Sequence, residues 1–398
     1  MRRYLFFASA LLLLVLGLSA RPAAAAEVQE REAPKHAVEA RYVCVPNVVW
    51  QDRALCPPHG PGTTAYRLAS IRLPEVLPEL PAQELPVEED EDFLPHTYAI
   101  ATSLPLDVYR HPMEAAEGLP PVRTMLSGSW WVSIEGAVEY EGQTWYRINP
   151  DEYVPAEALS FASPSRFQGV YLHEQPQLPF AWINRWTEPS VVPQGPVNEA
   201  VAPLERYQRV TIFAEERRGS DQVWYLVDHD QWVEQSHVSR VDVSPPPAEV
   251  GPGEKWIEVD LFEQTIAAYE GGRMVYATLI SSGRSATATP PGLYRVYYKL
   301  LKGKMSNPDV PDGSPIYYYI EDVPWSLYFH GGYSIHTAYW HNSFGFLRSY
   351  GCVNLAPRDA RWFFEWSDPP LPEGRNAIHI PDGAPSTWVW VHYSSPFE

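Results

Sequence analysis

One position in ten of this chain is proline, 41 of 398 residues. No long helix survives that density, because each proline removes a backbone donor and its ring collides with the turn before it. An all-helical bundle or a coiled coil is therefore excluded. The aromatic residues point the other way: 15 Trp and 24 Tyr suit pleated, half-buried surfaces. With 45% apolar and 20% charged residues, the chain can bury real cores and is not disordered overall. The expected fold is mainly β, in two or three domains. A formal charge of −19 gives no electrostatic footprint for nucleic acid and repels anionic lipid surfaces.

Arg2 and Arg3 precede an apolar run from Tyr4 to Ala20, and Ala23-Ala24-Ala25-Ala26 follows. Basic start, apolar middle and small residues at the cut are the layout of a secretory signal over residues 1–26, cleaved near Ala26. The alternative is an uncut anchor, since the run sits at the lower edge of a spanning length. No later segment is apolar enough to span a membrane, so the mature chain is expected to be secreted and soluble outside the cytoplasmic membrane. In that oxidising compartment Cys44 and Cys56 suit a disulfide, worth roughly 2–3 kcal/mol. Cys352 is left over, and an odd cysteine in a secreted chain invites a search for a reactive thiol.

Residues 27–97 are rich in proline and acid and read as an irregular lead-in, ending in Glu88-Glu89-Asp90-Glu91-Asp92. Two segments then echo each other. Trp145-Tyr146-Arg147-Ile148-Asn149-Pro150-Asp151-Glu152-Tyr153-Val154 is matched by Trp224-Tyr225-Leu226-Val227-Asp228-His229-Asp230-Gln231-Trp232-Val233, with Ser160 and Ser239 at the same offset. Each reads as strand, polar turn, strand. They resemble the small barrels of bacterial SH3-like modules, over 98–165 and 166–243. Ser244-Pro245-Pro246-Pro247 and Gly251-Pro252-Gly253 bound a linker at 244–253.

After the linker, Ile257, Val259 and Leu261 alternate with Glu258 and Asp260, the pattern of a half-buried strand. Thr265 to Glu270 leads through Gly271-Gly272 into Arg273 to Ile280, a hairpin signal. Further β-runs are expected at Leu293 to Leu300, Ile316 to Ile320 and Trp388 to His392, with one short helix after Pro357.

The chemistry concentrates between His330 and Asn354, where His330, His336, His341 and Cys352 fall together. A thiol that titrates near 8.5 is mostly protonated at neutral pH, and a histidine within reach can take its proton and later return it to a leaving amine. Ser349-Tyr350-Gly351-Cys352 offers backbone N–H groups for an oxyanion, with a glycine that permits close approach.

His336, twelve intervening residues, then Ser349-Tyr350-Gly351-Cys352-Val353-Asn354 resembles the L,D-transpeptidase catalytic domain of the YkuD-like family. The resemblance covers about residues 254–394. It includes Ile257-Glu258-Val259-Asp260-Leu261, Tyr269-Glu270-Gly271-Gly272, Ser282-Gly283, Thr289-Pro290-Pro291-Gly292-Leu293-Tyr294 and Leu355-Ala356-Pro357-Arg358-Asp359-Ala360. It implies a β-sandwich with short helices, preceded here by the two SH3-like units. It also implies an enzyme that works on peptidoglycan stem tetrapeptides without a cofactor. Cys352 would be the nucleophile and His336 its base and acid. Cys352 would attack the carbonyl of the diamino acid at position three and release terminal D-alanine. A side-chain amine of a second stem, or water, would resolve the thioester. The other classes left open are a catalytically silent wall-binding protein and another secreted cysteine peptidase or carboxypeptidase.

Two positions depart from the family pattern. Tyr350 stands where the family has histidine, and Thr337 where glycine often follows the first histidine. A phenol is no base at neutral pH, though it donates hydrogen bonds. For substrate contact the candidates are His341, Trp340, Tyr318 and Asn354, with Ser349, Tyr350 and Gly351 as oxyanion support. His341 suits a structural role equally well, Asn354 could instead fix its loop, and His330 reads as wall or core. Trp325, Tyr328, Phe329, Tyr333, Tyr339, Trp340 and Phe344 read as the floor of the site. No His-x3-His spacing or paired cysteine supports a zinc site, so no metal is expected. The sequence leaves the oligomeric state open.

Overall fold

The computed structural model describes residues 68, 71, 73–83, 93–218, 222–307 and 309–395. The leader at 1–26, Cys44 and Cys56, and the acidic run 88–92 lie outside the described residues. The fold is mainly β, and its centre is a sandwich of two sheets.

The first sheet runs, in spatial order, Ala82–Gln83, Val170–Leu172, Arg273–Leu279, Thr265–Glu270, Lys255–Asp260, Trp388–His392 and Gly292–Arg295. The hairpin at Gly271-Gly272 forms as expected, with Glu270 paired to Arg273. The second sheet runs Val353–Leu355, Tyr333–Thr337, Tyr318–His330, Ser129–Ile134, Thr97–Ala101 and Leu159–Phe161, and Tyr298–Ser306 also pairs with Tyr318–His330. Between the sheets lies a core that includes Ile257, Val259, Val275, Leu327, Ile335, Val353 and Leu355. The helix Pro357–Trp366 begins on its proline and buries Ala360, Phe363 and Phe364 in the same core.

The two N-terminal repeats keep the same element order. Gln143–Asn149 and Glu152–Pro155 are followed by a 3₁₀ turn at Ala156–Ala158 and the strand Leu159–Phe161. Gln222–Asp228 and Gln231–Glu234 are followed by Gln235–His237 and Val238–Val241. Even the irregularities match: a register shift at Arg147/Asn149 and at Leu226/Asp228, and a left-handed Asp151 and Asp230 in the turns.

These units are built into the sandwich. The strand Ser129–Ile134 of the first pairs in parallel with Tyr318–His330 and so extends the second sheet. The second covers the outer face of the first sheet, where Phe180, Trp182 and Val241 pack with Trp256, Tyr269, Met274 and Leu279. Each such large side chain contributes roughly 1.5–3 kcal/mol by leaving water.

That packing alters two expectations. Glu258 and Asp260 were to face solvent, yet both are buried, because Lys255–Asp260 is an inner strand covered on both faces. Glu258 is satisfied there by Ser244 Oγ at 2.6 Å, Tyr269 OH at 2.8 Å and His392 Nε2 at 2.9 Å. The 244–253 linker lies against the sandwich: the Ser244 N–H donates to Tyr269 OH, and Val250 is buried. Val170–Leu172, which falls within 166–243, is a strand of the first sheet. The run Leu293 to Leu300 divides into Gly292–Arg295 in the first sheet and Tyr298–Ser306 in the second.

Candidate active site

His336 and Cys352 sit at the edge of the second sheet, on the adjacent parallel segments Tyr333–Thr337 and Val353–Leu355. The register pairs Ile335 with Val353 and His336 with Asn354. Ser334 is therefore opposite Cys352, and its Oγ lies 3.7 Å from the thiol sulfur. Side chains alternate along a strand, so Ser334, His336, Cys352 and Asn354 share one face, with His336 diagonal to Cys352. His336, Cys352 and Asn354 line the same cavity, of about 470 Å³.

His336 is buried and stacks on Trp340, 5.8 Å between ring centres. Its Nδ1 lies 2.7 Å from the carbonyl oxygen of Thr337. An oxygen with no hydrogen can only accept, so Nδ1 carries the proton and Nε2 keeps a lone pair. Burial pulls the imidazole down to about 4, so the ring is neutral at physiological pH. The bonding atom of residue 337 is a backbone carbonyl, and threonine supplies it as well as glycine does.

Cys352 is half-buried. Burial pushes its thiol up, partly offset by hydrogen bonds from Ser334. Gly332 O lies 3.9 Å from the sulfur on the other side. Both shifts favour a resting pair of neutral thiol and neutral imidazole.

The loop that carries Cys352 is clamped by its neighbours. Ser281 bridges to Asn354, and Gly283 to Ser349. Thr289 Oγ1 donates to Gly351 O at 2.7 Å and accepts from Gly283 N at 3.0 Å, while Thr287 Oγ1 donates to Ser349 O at 3.1 Å. Gln264 ties down Ser282 through both amide atoms. The Ser282-Gly283 and Thr289-Pro290-Pro291-Gly292 motifs are therefore scaffolding for the cysteine turn. Gly351 has φ +120°, and a Cβ there would lie 2.3 Å from Tyr333 Cε1, so only glycine fits.

Two of the expected oxyanion donors are engaged in this turn. The Gly351 N–H donates to Ser349 Oγ at 3.0 Å, and the Ser349 N–H to Ser282 O at 3.0 Å. Ser349 Oγ donates onward to Cys352 O at 2.5 Å. Ser349 and Gly351 thus shape the turn.

Trp340, Tyr318, Tyr350 and Asn354 all line the cavity. Tyr350 is an exposed rim residue, stacked on Tyr318 at 5.4 Å with the Arg284 guanidinium 5.3 Å from its ring. His341 is buried behind the wall. Its Nδ1 accepts from Ser343 N at 3.1 Å, and its Nε2 lies 2.9 Å from the Asn354 amide. Burial, with Arg348 nearby, pulls it down to about 3. Nδ1 accepts from the Ser343 N–H, so the proton of the neutral ring is on Nε2, the nitrogen that faces the Asn354 side-chain amide. Of the two roles open to His341, the positioning of Asn354 is the one its contacts serve.

His330 is exposed at a strand end, 4.7 Å from the Tyr294 ring. Trp325 and Phe329 lie in the main core, while Tyr333 closes on Gly351. Among the described residues no group of three or more His, Cys, Asp or Glu is arranged to hold a metal ion. Sequence reasoning missed Ser334, the Thr337 carbonyl, Arg284 and Arg348. Ser334 was findable, since it stands two residues before His336 on the same strand face.

Among the described residues the cavity lining contains Arg284 and Arg348 and no Asp or Glu. In a chain with 49 acids against 30 bases, this is a local reversal of sign.

Comparison with protein families matches residues 254–390 to the YkuD L,D-transpeptidase catalytic domain. Comparison with curated proteins gives no match. Among solved structures the chain is similar to an L,D-transpeptidase from Mycobacterium smegmatis, with 18% identity over 44% of this chain and 68% of that one, at a TM-score of 0.30. It is also similar to an Enterococcus faecium L,D-transpeptidase, with 24% identity over 35% of this chain and 50% of that one, at 0.27. The isolated catalytic domain from E. faecium gives 27% identity over 35% of this chain and 98% of that one, at 0.26. This chain thus spans between half and about two thirds of the length of the first two. The family match is carried by residues 254–390, which include both His336 and Cys352.

Proposed function

We propose that this protein is an L,D-transpeptidase that acts outside the cytoplasmic membrane on peptidoglycan stem tetrapeptides, through a thioester on Cys352. The Cys352 sulfur attacks the carbonyl carbon of the diamino acid at position three as its proton passes to His336 Nε2. The oxyanion is met by the backbone N–H groups of Tyr350 and Cys352. When the C–N bond breaks, His336 returns the proton to the departing amine of D-alanine. A side-chain amine of a second stem then attacks the thioester, gives its proton to His336, and the thiol is restored. The Nδ1 bond to Thr337 O holds the ring in the tautomer that each of these transfers needs.

The observation that carries this reading is that His336, its Nδ1 bonded to Thr337 O so that Nε2 keeps the lone pair, lines the same cavity as a free cysteine. Arg284 and Arg348 support it, because a stem peptide brings carboxylates. The two N-terminal units are read as SH3-like modules on the strength of their shared strand, turn and 3₁₀ order.

Carbapenems acylate the nucleophile of this family, so intact-protein mass spectrometry after carbapenem treatment tests the proposal. The expected result is one adduct on the parent and none on Cys352→Ala. No adduct on either, with tight binding to sacculi, would instead mark a silent wall-binding protein.

A further inference from the structure

Part of the cavity that holds Cys352 does not come from the residues matched to the catalytic domain. Ile100, Ser129 and Trp131 belong to the first N-terminal unit and line the same cavity as Cys352 and His336. Strand alternation explains how. Trp130 is buried in the unit's own core with Val108, Met125 and Val154, so its neighbours Ser129 and Trp131 face the other way, into the cleft.

The wall is fixed in place. Ser129, Trp130 and Trp131 pair in parallel with Tyr318, Tyr319 and Ile320, and the Ser129 N–H donates to Tyr317 O at 2.9 Å. Beyond the ladder, Ser133 Oγ donates to Asp322 at 2.7 Å, Tyr98 OH to Asp322 O at 2.8 Å, and Asn149 Nδ2 to Glu321 at 3.1 Å. Trp131 is half-buried and meets Tyr339 edge-on at 6.1 Å. It therefore keeps part of its surface for a ligand.

We infer that Trp131, flanked by Ser129 and Ile100, is a specificity-determining wall for the stem peptide, supplied from outside the catalytic domain. The peptide lies in the cleft with its apolar surface on Trp131, Tyr318 and Trp340, and its carboxylates meet Arg284 and Arg348. Ser129 sets the width of the cleft, because a serine beside a tryptophan leaves space that a larger residue would fill. This inference rests on the stem-peptide reading above.

The test is D-alanine release by the full chain from a synthetic stem tetrapeptide with a diamino acid at position three, followed as a function of concentration. Trp131→Ala should raise KM about tenfold and change kcat by much less, since the aromatic contact binds substrate and touches no reacting atom. Trp131→Phe should recover most of the loss. Ser129→Trp removes no packing and should also raise KM, which decides the matter if Trp131→Ala fails to fold. A fall in kcat at unchanged KM would make Trp131 a prop for Trp340 and His336 and overturn the inference. KM unchanged in both variants, with the parent active, would overturn the wall alone. A parent that releases no D-alanine would overturn the stem-peptide reading, and this inference with it.

Discussion

The electrostatics of the dyad lead to a measurement in which two probes must disagree. With His336 near 4 and the Cys352 thiol above its usual value, the pair is uncharged across the neutral range. A small alkylating agent such as iodoacetamide reacts with thiolate and needs no proton acceptor, so its rate tracks the thiolate fraction. Below the thiol's pKa that fraction rises tenfold per pH unit, so alkylation of Cys352 should climb about 100-fold between pH 6 and pH 8. Acylation by the tetrapeptide runs through the neutral pair, with His336 as base, and should stay nearly level over the same interval. His336→Ala should leave the alkylation slope unchanged and lower acylation by ~10²–10⁴-fold. Rates of both come from mass spectrometry of quenched samples. A level alkylation profile between pH 5 and 8 would mean a resting thiolate–imidazolium pair and would refute the neutral dyad. An unchanged acylation rate in His336→Ala would mean the wrong base.

Three further outcomes follow from the same contacts. Gly351→Ala forces a left-handed alanine into Tyr333. It should cost ~1–3 kcal/mol and abolish acylation; a parent-like melting curve with full acylation would show that the turn has another conformation. Tyr350→His keeps a planar ring on Tyr318 and should acylate like the parent, whereas Tyr350→Ala loses a stack worth ~0.5–1.5 kcal/mol and should raise KM; complete loss in Tyr350→His would give the phenol a role of its own. Burial raises Glu263 to about 8 and Glu321 to about 7; the unfolded chain sheds these protons first, so stability falls as pH climbs from the ordinary carboxylate range up to the raised values, where the loss is complete. Thermal denaturation should therefore show ~2–3 kcal/mol lost between pH 6.5 and 8, with Glu263→Gln flattening the curve; stability that rises over this range would count against both burials.

What the sequence disclosed was whatever depended on local pattern. The 265–279 hairpin needed only two β-runs and a Gly-Gly turn, and the 357–366 helix only a proline at its first turn. The cysteine and histidine stood out because thiol chemistry constrains residue type more than it constrains packing, and the fold sets both in one cavity. The tautomer of His336 was hidden, because it is set by a backbone carbonyl that any residue supplies. The division of 293–300 between two sheets was hidden for a similar reason: an apolar run looks the same whichever sheet claims each half. Glu258 and Asp260 looked like a solvent face because alternation reports polarity, not what another part of the chain lays over it.

The 318–330 strand shows why the cleft itself was not legible. Its sequence breaks off at Glu321-Asp322 and Pro324, and the expected run stopped at Ile320. In the fold the strand continues to His330. Pro324 pairs opposite Lys302, and both acids are met by the first N-terminal unit and its surroundings. Asn149 and Arg123 reach Glu321, while Ser133, Lys302 and His96 reach Asp322. An acid pair that interrupts the apolar run is accommodated in the strand once Asn149, Arg123 and Ser133, about 170 to 200 positions earlier in the chain, satisfy it. The same junction carries Tyr318 and Ile320 against Ser129 and Trp131. The contact that completes the strand therefore also completes the cleft. The family match begins at residue 254, but the residues that line the cavity around Cys352 and His336 begin at Ile100.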